Sequence, residues 1–404
     1  MAEKIVVFGA GATGRGHVGL LAWQAGFEIV FVDKKMPLVE ALRRPGRYTV
    51  RIFGEKTQEI VVSGYRVYHS LDRAAIAEEI RDARLVLTAV FDQNLADVAE
   101  TLALGIVACA RAGRTTPLNC IACENMMDSS TQVGRHVRTR LDAHPRGDCG
   151  AGVSPASAAG TAAPQNSDLA WCEANVGFPD CMISRVVPRP EPDPLAIVTE
   201  DYNEWTVRRE SFRGEKPAAL SALELVDNQT ARLERKLFIH NGGHATCGYL
   251  AFHRGHRYIH EAVADPQVAG HVVAALDELG EVVRRKWGFS AESIDHYKRD
   301  LGRRGAIAEM RDEVLRVIRD PIRKLSPRER LVAPAMLAVE YGLPRGEIVG
   351  AILAALRYSH PADPQSLALS EQLAQQGLSK VLETVCGITP QSPVAVEIER
   401  AWHK

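Results

Sequence analysis

The feature that most constrains this chain is a short apolar run, Ile5–Phe8, ending in Gly9-Ala10-Gly11-Ala12-Thr13-Gly14. The segment satisfies G-x-G-x-x-G between a strand pattern and a helix pattern. Gly9 allows a tight turn, Gly11 lets backbone approach a pyrophosphate, and Gly14 lets the helix pack close to the strand. The helix start then offers free N–H groups and partial positive charge to phosphates. Thr13 joins these as a candidate cofactor contact, and Arg15 could add a charge. A second apolar run, Ile29–Val32, ends at Asp33. An acid about 20 residues beyond such a loop bonds a ribose 2′-hydroxyl. Its carboxylate would repel a 2′-phosphate, which favours NAD over NADP, although Lys34 and Lys35 follow at once.

Further apolar runs, Leu85–Val90 and Leu118–Cys123, alternate with helical patterns such as His17–Ala25 and Leu71–Ile80. This repetition predicts a parallel sheet covered by helices, an α/β domain of the doubly wound kind. Ligands of such sheets sit at the carboxyl ends of the strands. Ala89 and Asn125 are therefore candidate cofactor contacts, with Asn125 suited to the nicotinamide ribose or carboxamide. The second half reads as helical over Leu223–Phe252, Pro266–Trp287, Glu309–Ile318, Pro327–Tyr341, Arg345–Tyr358 and Ser366–Thr384. The proline-rich Arg185–Pro194 marks the expected passage between domains 1–194 and 195–404. The Gly/Ala/Ser/Pro stretch near 149–165 reads as a surface insertion.

The 404 residues suffice for two cores, and a formal net charge of −1 gives no field to recruit nucleic acid or an acidic membrane. No apolar run is long enough to span a bilayer, and Lys4 precedes only a short strand, not a secretory pattern. Scattered thiols suit a reducing cytoplasm. The one CxxC, Cys120 and Cys123, reads as two buried strand thiols, because no second pair or histidine cluster accompanies it. A metal-independent protein, monomeric or weakly homo-oligomeric, is expected.

The helical half contains Lys236-Leu237-Phe238-Ile239-His240-Asn241-Gly242-Gly243-His244. On a regular helix Lys236 and Asn241 lie about 140° apart with His244 between them, so the three can converge. The apolar neighbours Leu237, Phe238 and Ile239 permit desolvation of the lysine, and a desolvated lysine is a usable base near neutrality. Asn241 can donate to a developing alkoxide, and His244 can orient the lysine or contact a substrate hydroxyl. The glycine pair, costly inside a helix, suggests that something approaches the backbone closely there.

These residues resemble the polyol-specific long-chain dehydrogenases, whose signature K-x4-N-x2-H is matched by Lys236, Asn241 and His244. The opening FGAGATGRGHVG, ACENM (122–126), VGFPD with SRVVP (176–188), EW-x-V (204–207), RKLSPRERL (323–331) and EYGLP (340–344) are similar to the branch acting on mannitol 1-phosphate. The resemblance implies a Rossmann domain followed by a mostly α-helical domain, NAD as cofactor, no catalytic metal, and interconversion of D-mannitol 1-phosphate and D-fructose 6-phosphate. It implies Lys236 as general acid/base, Asn241 polarising the carbonyl or alkoxide, and His244 positioning the pair.

Departures from the pattern bear on the substrate. Arg304-Gly305-Ala306-Ile307 stands where the family has an aromatic residue and an Asn-Pro pair, and Phe91 stands where glycine is usual. Asp180 stands where the enzymes of unphosphorylated mannitol carry asparagine. Asp180, Arg303 and Arg304 are candidate substrate contacts, with Arg323 and Lys324 as further phosphate partners. Three alternatives remain open within the chemistry: an unphosphorylated polyol, a sugar acid or a cyclitol phosphate. A non-catalytic NAD-binding regulatory protein is the alternative of another class.

Overall fold

The computed structural model describes residues 3–124, 126–143, 167–188 and 192–403. The chain forms two compact units, Met1–Gln229 and Thr230–Lys404. Among the described residues the first unit holds twelve strands: β1 Lys4–Phe8, β2 Glu28–Asp33, β3 Arg47–Phe53, β4 Gln58–Ser63, β5 Arg66–His69, β6 Ala83–Thr88, β7 Leu118–Ala122, β8 Val176–Gly177, β9 Cys181–Ser184, β10 Ala196–Glu200, β11 Glu204–Arg208 and β12 Leu223–Val226. Six of them pair in the order β5-β2-β1-β6-β7-β8, every neighbour parallel. The strand order reverses between β1 and β6, the place where open parallel sheets bind ligands.

Both faces of this sheet are buried, which is why its central strands read as unbroken apolar runs. Ile5, Val7, Ile29, Phe31, Leu85 and Leu87 point to one face. Val6, Phe8, Val30, Val32 and Val86 point to the other. Helices Arg73–Arg81, Leu95–Arg111, Ser129–Ala143 and Ser167–Asn175 cover the second face through Ile80, Leu102, Ile106, Val133, Val137 and Cys172. Helix Gly19–Gln24 and two small sheets, β10-β3-β4 and β12-β11-β9, cover the first through Leu20, Tyr48, Val50, Cys181, Ile197 and Trp205.

The small sheets move the boundary expected from the sequence. Residues 196–226 do not open the helical domain; β10 pairs with β3, and β11 pairs with β9 and β12, all inside the first unit. The proline-rich Arg185–Pro194 thus joins two strands of one unit. The 149–165 stretch lies outside the described residues. Cys120 and Cys123 are buried on opposite faces of the parallel sheet, as an odd spacing in a strand demands, so they cannot share one ion.

The second unit is helical. Helix Pro266–Trp287 has the bounds the sequence indicates: Asp265 caps it by accepting from Gln267 N, Pro266 opens it, and Gly288 ends it at φ +72°. Four other segments differ, the mildest being Pro327–Tyr341, whose helix starts only at Val332. Leu223–Phe252 is not one helix but β12 followed by a helix from Gln229 to His253 whose middle, Lys236–Gly242, is π-wound. Glu309–Ile318 breaks at Arg311, which is left-handed (φ +43°), and only Val314–Ile318 is α-helical. Ser366–Thr384 is divided at Gly377 into Pro364–Gln376 and Leu378–Thr384. Helix Gly243–His253 buries Ala245, Thr246, Cys247, Tyr249 and Ala251 against Pro266–Trp287, Val314–Ile318 and Gly346–Leu356, so it is the axis of this unit. Among the described residues no helix is long and apolar enough to cross a membrane.

Candidate active site

In the first unit the glycine loop starts where β1 ends. Gly9 N donates to Val32 O at 2.7 Å, and Ala89 N donates to Phe8 O at 2.7 Å, so the loop is stitched to the ends of both neighbouring strands. Gly9 has φ +95°, and a Cβ there would lie 2.2 Å from Ala89 O. A Cβ on Gly14 would lie 1.8 Å from Gly9 O, the close helix–strand packing expected of the third glycine. A Cβ on Gly11 would meet nothing within 4 Å. Its bare backbone borders open space, which fits a pyrophosphate. Thr13 is partly buried and already helical, and a π turn, Gly14–Val18, follows it.

Asp33 closes β2 and grips the loop. Its Oδ2 accepts from Ala10 N and its Oδ1 from Lys35 N, each at 2.9 Å. Each carboxylate oxygen keeps a second lone pair for a ribose hydroxyl. Lys34 Nζ bonds Asn94 Oδ1 at 2.6 Å, which ties the loop after β2 to the loop after β6. Arg15 does not offer its charge to a phosphate. It is buried, donates to Ala10 O at 2.6 Å and Pro194 O at 2.7 Å, and lies over the Tyr48 ring. Phe91 stands exposed just beyond β6.

Asn125 lies outside the described residues. Its neighbour Glu124 is a residue that sequence reasoning passed over. It is buried, its Oε1 accepts from Thr88 Oγ1 at 2.8 Å and from Val90 N at 2.9 Å, and burial pushes its carboxyl up to about 7 against those bonds. Asp180 is buried inside the first unit, where it accepts from Thr131 N at 3.0 Å and Thr131 Oγ1 at 2.6 Å with Arg208 nearby at 3.8 Å. Those contacts tie the residue just before β9 to the helix Ser129–Ala143.

In the second unit the π winding changes the angular argument. A π turn bonds residue i to i+5, so residues five apart stack along one side. Lys236 and Asn241 are five apart inside the π segment, so they share a face more closely than a regular helix would allow. Lys236, Asn241 and His244 are each partly buried, while Phe238 and Ile239 turn into the core. The glycine pair is explained by protein, not ligand. A Cβ on Gly242 would lie 2.9 Å from Arg330 O, and one on Gly243 would lie 2.4 Å from Leu276 Cδ2.

Charge gathers around this turn. His240 is buried and edge-on to His244 at 5.9 Å. Burial, then the charges of Arg304, His244, Lys236 and Arg330, push its pKa well below the ordinary value, so the ring is neutral. Arg304 is buried with Asp300 at 3.6 Å, whereas the more open Arg303 donates to Asp300 Oδ1 from Nε at 3.2 Å. Arg330 is buried and bonds Glu329 at 2.9 Å. Lys324 is buried, donates to the Arg319 carbonyl, and is brought down to about 7 by burial and by the nearby Arg330 and Arg323 cations. Arg323 itself is exposed and pairs with Asp320 and Glu329. His244 Nε2 lies 3.0 Å from the buried Asp312 Oδ2, a partner the sequence does not signal.

Residues 3–220 match the mannitol dehydrogenase Rossmann domain, and residues 230–404 match the mannitol dehydrogenase C-terminal domain. The chain belongs to the mannitol dehydrogenase family. As a member of this dehydrogenase family it is an oxidoreductase acting on CH–OH groups, and the alternative of a non-catalytic regulator is set aside. Two solved structures share the fold. One is Pseudomonas fluorescens mannitol 2-dehydrogenase in a ternary complex with NAD and D-mannitol, at 18% identity and a TM-score of 0.73, covering 100% of this chain and 92% of that one. The other is a D-sorbitol dehydrogenase in substrate-free form, at 15% identity and 0.79, covering 100% and 93%.

Proposed function

We propose that this member of the mannitol dehydrogenase family is an NAD-dependent dehydrogenase of a phosphorylated polyol, interconverting D-mannitol 1-phosphate and D-fructose 6-phosphate. The cofactor is NAD, and the first unit fits it. Open space beside Gly11 admits the pyrophosphate, and the Asp33 carboxylate offers acceptors to a ribose diol while repelling a 2′-phosphate. Gly9, Gly14, Thr13 and Ala89 shape that loop, and Asn125 is retained as a nicotinamide-side contact. When bound, NAD supplies the acceptor for the hydride.

The second unit supplies the proton chemistry. The Lys236 amine takes the alcohol proton during oxidation and returns it to the oxygen during reduction. The Asn241 side-chain amide donates to the oxygen as it becomes an alkoxide, and His244 positions the pair. No metal is required for either step.

The observation that carries the phosphate is the buried cation set. Arg304, Arg330 and Lys324 are all buried, and Lys324 is brought down to about 7 first by burial and then by the Arg330 and Arg323 cations. Such a cluster gains when a dianion enters, since the anion favours every charged form at once. Arg303 adds a more accessible guanidinium. The test is turnover by the purified protein, followed by NADH absorbance, on mannitol 1-phosphate, mannitol, a sugar acid and a cyclitol phosphate. Turnover of mannitol 1-phosphate well above the rest is expected. Equal kcat/KM on mannitol would overturn the reading.

A second reading is favoured by the acids among these cations. Asp300 and Glu329 already neutralise part of Arg304 and Arg330, which would suit an uncharged polyol.

A further inference from the structure

His244 is itself held by a buried carboxylate. Its Nε2 lies 3.0 Å from Asp312 Oδ2. The other oxygen, Oδ1, accepts from Arg316 Nε at 2.7 Å and from an Arg316 terminal nitrogen as well. The carboxylate is therefore held at both ends, by a ring on one side and a guanidinium on the other. Its backbone is fixed too. Asp312 O accepts from Ile259 N at 2.9 Å, the next residue, Glu313, bridges to Tyr258, and Arg316 sits one turn on at i+4.

Asp312 is buried, which works to raise its pKa, but the bonds from His244 and Arg316 outweigh burial and hold it below the ordinary value. An ionised carboxylate can only accept, so the ring nitrogen that faces it carries the proton. We propose that Asp312, oriented by Arg316, is a positioning residue that locks His244 in its Nε2–H tautomer and so presents Nδ1 as an acceptor to the catalytic turn. The inference rests on His244 belonging to the reacting site, but not on which polyol is turned over.

The geometry specifies the effect of an isosteric change. In Asp312→Asn one end of the carboxamide is an acceptor and the other a donor. Arg316 can only donate, so it takes the carbonyl oxygen. The amide N–H2 is then turned toward His244 and can only donate to Nε2, which moves the ring proton to Nδ1. The result is the wrong tautomer in an unchanged frame. Removing the orienting guanidinium, as in Asp312→Asn/Arg316→Met, lets the carboxamide turn over and offer its oxygen to His244 again.

The experiment compares the full-length wild type, Asp312→Asn and the double variant. Nitrogen-15 spectra of histidine-labelled protein, assigned with His244→Gln, report the tautomer. Turnover of whichever family polyol the wild type oxidises reports the consequence. Expected are Nε2–H in the wild type and Nδ1–H in Asp312→Asn. A loss of kcat of about a hundredfold in Asp312→Asn is also expected, with NADH affinity and Tm near wild type. The double variant should recover about tenfold of that loss, which a merely structural strut would not do. The proposal is overturned by an Nδ1–H wild type or an unchanged tautomer in Asp312→Asn. It is equally overturned by kcat within about threefold of wild type, or by a double variant no faster than the single. If no phosphorylated polyol is turned over, the spectra still decide the matter, so failure of the substrate reading and failure of this one are distinguishable.

Discussion

Lys236 bears the main chemical demand, and its removal is the most direct test. Lys236→Ala is expected to lower hydride transfer by about a thousandfold or more while NADH binding, a property of the other unit, is retained. Loss of NADH binding in step with activity would point to a folding role. Asp33 has two tasks, because its Oδ2 also holds Ala10 N. Asp33→Ala should therefore weaken NAD binding and at the same time narrow the preference for NAD over NADP, read as the ratio of the two dissociation constants. An unchanged ratio would remove the ribose role. Glu124 adds a pH signature. Burial raises its carboxyl from the ordinary 4.5 to about 7, so the native state keeps a proton that the unfolded chain has released. Its contribution to stability is full below about pH 4.5 and is lost as pH rises through about 7. Tm measured across that window should fall less steeply in Glu124→Gln than in wild type. Parallel curves would refute the assignment.

At the scale of elements, the π turn separates what the sequence shows from what it hides. Apolar runs with both faces buried announce themselves, so β1, β2, β6 and β7 are legible to within a residue or two. β3 and β4 are not, because they alternate and lie in a small sheet whose outer face is open: Tyr48, Val50 and Ile52 point inward between exposed or half-exposed residues. The winding of Lys236–Gly242 is hidden for a different reason. A binary pattern of apolar and polar residues does not distinguish i→i+4 from i→i+5 bonding, so K-x4-N shows its residues but not their alignment. Asp312 is hidden because no periodicity links it to His244; tertiary packing alone brings them together. The glycine pair was legible as a close approach, but not as an approach by Arg330 and Leu276. Gly243→Ala should force Leu276 to shift and destabilise the protein by about 1–3 kcal/mol, seen as a lower denaturant midpoint at constant m-value. An unchanged midpoint would mean that the helix axis has slack which the packing does not show.

At the scale of the whole chain, the parallel sheet closes both of its apolar clusters within the first unit. Among the described residues both apolar clusters of the parallel sheet draw only on residues before position 226, including Trp205, Leu220 and Leu223 from the segment that a boundary at 194 would have cut away. A fragment ending at 194 would strip β10 from β3, remove β11 and β12, and expose the face that carries Tyr48 and Ile183. A fragment ending at Gln229 keeps every one of those pairings. The longer fragment is therefore expected to unfold cooperatively and to bind NADH within about tenfold of the full chain while showing no turnover, because Lys236, Asn241 and His244 lie beyond its end. The shorter one should aggregate or unfold without a sharp transition. Fluorescence titration with NADH and a urea melt on the two fragments make the comparison. If the fragment ending at 194 were to fold and bind as well as the longer one, the small sheets would be ornaments on the dinucleotide fold instead of one wall of its core.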